Sequence, residues 1–313
     1  MVQGGVSARP GEKSMGFLDV GDEKFKVPIA IIHGVSAGKT LGLIGGTHGT
    51  EFASIEAVTR IIGALEPAEM SGTVLAIPVL NRPQFEARQQ YTSPVDGLNL
   101  NGVFPGDPKG TLTKRIAHVA FEEVASRCDA LVDCHGGDID EDIRGFVVAA
   151  EGQDAAVNAE ALVLASCFPC GLTHVFPAGG GASLSAQSIY GIPTIMPEAG
   201  TPCPVRKDAI DFHYEGIMNV LHHMGIVPGK PKYWNHSVSR RRLRVLSTGD
   251  GTWHPSVPLD DEVKAGDGIG IVKDLFGKTI QVAVAPEEGI VSMARCFYSV
   301  KKGETLVVVS AFD

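Results

Sequence analysis

A histidine and a glutamate stand three residues apart in the glycine-rich stretch Gly45-Gly46-Thr47-His48-Gly49-Thr50-Glu51. The stretch follows the apolar run Leu41-Gly42-Leu43-Ile44, which reads as a buried strand of a parallel sheet. Glycines let the backbone bend tightly beyond a strand, so an imidazole and a carboxylate at this spacing can aim at one cation. Catalytic zinc sites use three protein ligands and keep a fourth position open. A third ligand is available in Ala130-Leu131-Val132-Asp133-Cys134-His135-Gly136-Gly137, another apolar run ending in a histidine and a glycine turn. His48, Glu51 and His135 then make a His₂Glu set with an open position, the arrangement that activates water.

Such a set needs a rigid scaffold, and the pattern of the chain supplies one. Residues 16–35 read as β-structure. Ile55, Val58, Ile61, Ile62 and Leu65 recur at helical spacing over residues 53–65. Strands are expected at 74–80, 130–134, 145–149 and 194–196, and helices at 114–126, 154–166 and 208–224. Strands alternating with helices predict an α/β domain with a mostly parallel sheet, in which ligand sites gather beyond the carboxyl ends of strands. His48, Glu51, His135 and Glu198 all fall just after expected strands. Val227-Pro228-Gly229-Lys230-Pro231-Lys232 reads as a linker. The division expected is a catalytic α/β domain over residues 1–228 and a β-rich domain over 229–313. Short strands at 243–246, 268–272, 279–284, 289–292 and 305–309 give the second part the look of the barrel-sandwich domains that carry lipoyl or biotinyl groups. The lysine that bears the group there is missing, so this part is read as structural, capping the site or mediating homo-oligomerisation.

Composition narrows the function. Of 313 residues, 27 are basic and 36 acidic, a net charge of −9, which argues against nucleic acid or an anionic membrane as partner. No apolar run approaches the roughly 20 residues of a membrane span, and the first ten residues lack the apolar core of a signal peptide. A cytoplasmic protein is expected. The six cysteines are scattered, and Cys167-Phe168-Pro169-Cys170, with no second pair, reads as small buried hydrophobes rather than a redox or metal motif. Asp138, Asp140, Glu141 and Asp142 form an acidic loop that reads as a solvated face.

With these residues in place the chain resembles the succinylglutamate desuccinylase/aspartoacylase family of zinc deacylases, relatives of the zinc carboxypeptidases. The resemblance rests on ordered blocks: Gly46-Thr47-His48-Gly49-Thr50-Glu51, Asn81-Arg82-Pro83-Gln84-Phe85, Asn99-Leu100-Asn101-Gly102-Val103-Phe104-Pro105-Gly106, Asp133-Cys134-His135 and Pro197-Glu198-Ala199-Gly200. It implies a zinc-carboxypeptidase-like fold, one Zn²⁺ per chain on His48, Glu51 and His135, and Glu198 as general base. The implied reaction is direct attack of metal-activated water on the amide of a small N-acyl amino acid. One block departs from the family pattern, since Gly102 stands where the Asp-Leu-Asn-Arg signature has its arginine. Asn101 remains to hydrogen-bond a substrate, and Arg88 and Arg144 are the candidates to replace the lost cation or to stabilise the oxyanion. The substrate is therefore expected to differ from N-succinylglutamate and N-acetylaspartate, with N-acetyl-2,4-diaminobutyrate a good alternative. A metallocarboxypeptidase and an inactive metal-binding scaffold are the competing readings.

Overall fold

A computed structural model describes residues 1–178 and 183–312. Its backbone is one long sheet. In chain order the strands that matter are β1 (Glu12–Leu18), β2 (Val27–His33), β3 (Ser36–Gly45), β4 (Ser71–Ile77), β5 (Ala130–Cys134), β6 (Glu141–Glu151), β7 (Leu172–Pro177), β8 (Thr194–Gly200), β9 (Arg241–Leu246), β10 (Gly289–Arg295) and β11 (Thr305–Ala311). The helices are α1 (Phe52–Ala64), α2 (Arg82–Ala87), α3 (Leu112–Glu123), α4 (Ala155–Ser166) and α5 (Lys207–His223). The sheet runs β9-β11-β10-β6-β8-β5-β3-β4-β2-β1, with β7 beside β6. Its four central strands, β4, β3, β5 and β8, are parallel. The strands added along this path at either end are antiparallel.

The pleat sends neighbouring side chains of a strand to opposite faces, and the sequence loads both faces with apolar groups. Leu41 and Leu43 of β3 join an apolar layer with Ala57, Val58 and Ile61 of α1 and Ile217, Val220 and Leu221 of α5. Ile44 joins the other layer, with Ile116, Ala120 and Phe121 of α3. Helices on both faces explain why the central strands read as continuous apolar runs.

One sheet carries strands from both sides of residue 228. Met293, Ala294 and Arg295 of β10 pair with Ile143, Asp142 and Glu141 of β6. Behind β10 and β11, segments 251–255, 268–273, 279–284 and 299–300 form a second, four-stranded antiparallel sheet. Trp253, Ile269, Val272, Val291 and Val309 are buried between the two sheets. No helix among the described residues is long and apolar enough to cross a membrane.

Candidate metal centre and cavity

Strand β3 ends in the turn that carries His48 and Glu51. Gly46 has φ +65°, a conformation that L side chains rarely adopt. Gly49 lies so close to the next element that a Cβ there would sit 2.3 Å from the backbone nitrogen of Phe85. Helix α2 holds this turn from behind. Gln84 Oε1 accepts the Gly49 N–H (2.8 Å), and the Asn81 N–H donates to the Gly46 carbonyl (2.8 Å). The Asn81–Phe85 block of the sequence is thus a buttress for the turn. His135 follows β5 directly and bridges to Glu198 of β8, with its N–H on the Pro197 carbonyl at 2.9 Å.

One nitrogen or oxygen from each of His48, Glu51 and His135 lies within 4.8 Å of the others, and all three residues are buried. His48 Nδ1 is 2.7 Å from one Glu51 oxygen and His135 Nδ1 is 3.1 Å from the other. The far nitrogens are held by acceptors. His48 Nε2 meets Asn99 Oδ1 at 3.1 Å, and that oxygen also takes the Asn101 N–H at 2.9 Å, which fixes the amide's orientation. His135 Nε2 meets Asp133 Oδ2 at 3.2 Å, while Thr47 Oγ1 donates to the other Asp133 oxygen at 2.8 Å. Each imidazole thus faces an acceptor at both ring nitrogens, Glu51 at Nδ1 and Asn99 or Asp133 at Nε2. Three converging electron-pair donors in a dry place require a cation or added protons among them. The donor set fits a zinc ion.

The electrostatics follow from burial and this clustering. Burial pushes the Glu51 carboxyl up, but His48 and His135 outweigh it and hold it at about 2. Burial opposes charge on His48 as well, yet the Glu51 carboxylate raises it; His135 is raised well above its usual range by Asp133 and Glu51. Burial pushes Glu198 to about 8, reinforced by Glu51 and Glu141 and opposed by His135 and Arg242.

The cluster opens into a cavity of about 500 Å³. Tyr91, Asn99 and Asn101 come from the segment after α2, and Glu198 from β8. Glu141 and Ile143 come from β6, Met293 and Arg295 from β10, Val308 from β11, and Arg242 and Arg244 from β9. Register explains this second group. Arg244, Val308, Met293 and Ile143 are successive cross-strand partners, so they form one transverse row on one face of the sheet. Glu198 lies inside β8 rather than beyond it, because that strand runs on to Gly200. The pairing with β6 shifts register between Glu198 and Gly200, a bulge of the kind found beside active sites.

Asn101 lines the cavity and its buried Oδ1 has no hydrogen-bond partner. The two arginines expected from sequence stand elsewhere. Arg144 alternates with Ile143, so the pleat turns it to the opposite face, where it pairs with Asp260 at 2.6 Å. Arg88 closes α2 with φ 53° and is exposed. Neither lines the cavity, and Arg242, Arg244 and Arg295 stand there instead.

The acidic loop also corrects an expectation, since it is no solvated face. Asp138 is fully buried and accepts Thr50 Oγ1 (2.6 Å) and the Tyr91 N–H (2.8 Å). Asp140 is buried against Arg295 at 2.6 Å, and Asp142 pairs with Arg206 at 2.8 Å. A run of acids reads as solvent-facing only until partners from distant strands are known. Cys167 and Cys170 remain free, and burial pushes both thiols up to about 12, which suits inert packing groups.

Comparison with known proteins agrees with this architecture. The succinylglutamate desuccinylase/aspartoacylase catalytic domain matches residues 37–224, and the chain belongs to that family. It is 29% identical over 297 residues to an N-alpha-acetyl-L-2,4-diaminobutyric acid deacetylase of Halomonas elongata, covering 91% of this chain and 85% of that one. A succinylglutamate desuccinylase/aspartoacylase from Rhodobacter sphaeroides superposes with a TM-score of 0.88 at 25% identity over 96% of both chains. The product-bound ectoine utilization protein of Ruegeria pomeroyi gives 0.88 at 25% identity, over 98% of this chain and 99% of that one.

Proposed function

We propose that this protein is a zinc-dependent deacylase that hydrolyses the amide of a small N-acyl amino acid. The observation that carries the reading is the convergence of His48 Nδ1, the Glu51 carboxylate and His135 Nδ1 on a cavity that Glu198 also lines. A zinc ion held there would acidify water and polarise the scissile carbonyl. Glu198 takes the proton from the attacking water on its carboxylate and delivers it to the leaving nitrogen. Burial lets that carboxyl hold its proton up to about 8, and a divalent cation held beside it would draw that value down. Asn101 Oδ1 accepts an N–H of the substrate.

The preferred substrate carries an amine, as in N-acetyl-2,4-diaminobutyrate. Asp140 is neutralised by Arg295, but Glu141 lines the cavity with a tyrosine hydroxyl, Tyr91, as its neighbour instead of a cation. A substrate ammonium would complete Glu141. The relative from Halomonas elongata supports the choice. The test is a kcat/KM comparison of the zinc-loaded protein on N-acetyl-2,4-diaminobutyrate, N-acetylaspartate, N-succinylglutamate and a panel of short peptides. The diaminobutyrate derivative should lead. A peptide at the top would make the protein a carboxypeptidase, and turnover of none would leave a metal-binding scaffold.

A further inference from the structure

Arg242 occupies an unusual position for a guanidinium. It lies on β9, lines the cavity, and stacks 5.2 Å from the centroid of Phe146 and 5.8 Å from that of Phe176. Its Nε is buried and has no hydrogen-bond partner. Among the described residues it joins no ion pair, whereas Arg295, on the same cavity wall, is held by Asp140 at 2.6 Å and Glu304 at 2.7 Å. Arg244 is exposed. Glu198 and Glu141 influence Arg242 only through space, as charges that partly offset its burial.

A guanidinium partly withdrawn from water, as on half-buried Arg242, is unfavourable without a counter-ion. The aromatic faces recover part of that and fix the plane of the group, yet they leave its N–H donors unfilled. A planar fork with open donors at the wall of a ligand cavity matches a carboxylate, which it grips through two parallel charge-assisted hydrogen bonds. Position 102 is an exposed glycine outside the cavity lining, so no cation reaches the cavity from there.

We infer that Arg242, supplied by the C-terminal strands, anchors the α-carboxylate of the substrate and so sets the specificity of the site for N-acyl amino acids over N-acyl amines. The inference rests on reading the cavity as a deacylase site. Arg242 is a binding group in it, and proton transfer stays with Glu198.

The test sets a substrate against its decarboxylated form. N-acetyl-2,4-diaminobutyrate and N-acetyl-1,3-diaminopropane differ only in the carboxylate. Zinc-loaded wild type should favour the acid by on the order of 10²-fold in kcat/KM, chiefly through KM, and in Arg242→Gln that preference should fall to near unity with zinc content unchanged. Arg242→Lys, which keeps the charge and loses the fork, should recover part of it. Equal losses on both substrates would overturn the inference and assign Arg242 to the reacting carbonyl or to Glu198. An unchanged preference would overturn it too. Calorimetry with 2,4-diaminobutyrate and 1,3-diaminopropane reads the same contrast without turnover. If wild type hydrolyses nothing, the deacylase reading falls, while tighter binding of the amino acid that vanishes in Arg242→Gln still establishes the anchor. Equal binding by both proteins removes it.

Discussion

The two walls of the cavity are built in different ways. One consists of turns and short segments that follow parallel strands: His48 and Glu51 after β3, Asn99 and Asn101 beyond α2, His135 after β5. The other is the face of antiparallel strands, where Glu141, Arg242, Arg244, Met293, Arg295 and Val308 project at a period of two. The first wall gathers ligands within a few residues of each other or of a strand end. The second assembles charged groups from positions up to 155 residues apart, as in the Asp140–Arg295 pair. The candidate metal-binding side chains sit at the ends of the parallel central strands. Arg242, Arg244 and Arg295 sit on strands beyond residue 228 that extend the same sheet.

The largest effect should come from the first wall. His48→Ala or His135→Ala should lose the bound metal, by elemental analysis of the purified protein, and with it turnover down to background. Full zinc in either variant removes that residue from the ligand set. Glu198→Gln comes next: it keeps shape and cannot accept a proton, so turnover should drop on the order of 10²–10⁴-fold with zinc retained. Near-normal turnover would move the general base elsewhere.

Asp133→Asn should act more gently, weakening zinc about 10–100-fold in a competition titration with a chelator. An amide oxygen would hold the Nε2 proton of His135 more weakly than the carboxylate does. An unaltered affinity would mean that the Thr47–Asp133–His135 chain is packing alone. The smallest effect belongs to the seam between the walls. His174 Nε2 of β7 is hydrogen-bonded to the Ser310 hydroxyl of β11 at 3.0 Å, and burial holds its pKa at about 3. An unfolded histidine titrates near 6.5. Between these values the unfolded chain binds the extra proton, so stability falls as pH drops from about 6.5 toward 3. The loss is on the order of 2–3 kcal/mol between pH 7 and 4.5. Urea unfolding at both pH values should show a smaller difference in His174→Gln, and identical differences would place the acid sensitivity in other groups.

The two walls were also unequally legible in the sequence. The first could be read because its ligands are local: a glycine turn after an apolar run, and a histidine at the end of another. Even Asp133 carried a signal, since two residues before His135 on a strand puts both on one face. Helices α1, α3, α4 and α5 lie close to where they were expected, and the central strands showed as continuous apolar runs because both faces of the sheet are covered. The second wall carried no such signal. Arg242 and Arg244 alternate along β9 like any exposed strand, and only the register of four strands brings them to the cavity. Arg144 was one residue out of phase with the cavity face, a difference that single-residue pattern does not resolve. β7 and the segment 251–255 were overlooked for a related reason. Thr173, His174, Thr252 and His254 interrupt any apolar alternation, and their partners lie far along the chain.

Strand β6 is the member that both walls share. Over Glu141–Glu151 it pairs with β8 on one edge and with β10 and β7 on the other. A chain ended at residue 228 would leave the start of that strand, Glu141 to Ile143, as a bare edge, with Ile143, Phe146 and Val148 uncovered where Met293 and Val308 now pack. Open apolar edges recruit other strands. The shortened protein should come out of expression as aggregate rather than as a smaller enzyme, and the partition between pellet and supernatant, set against full-length chain, is enough to see it.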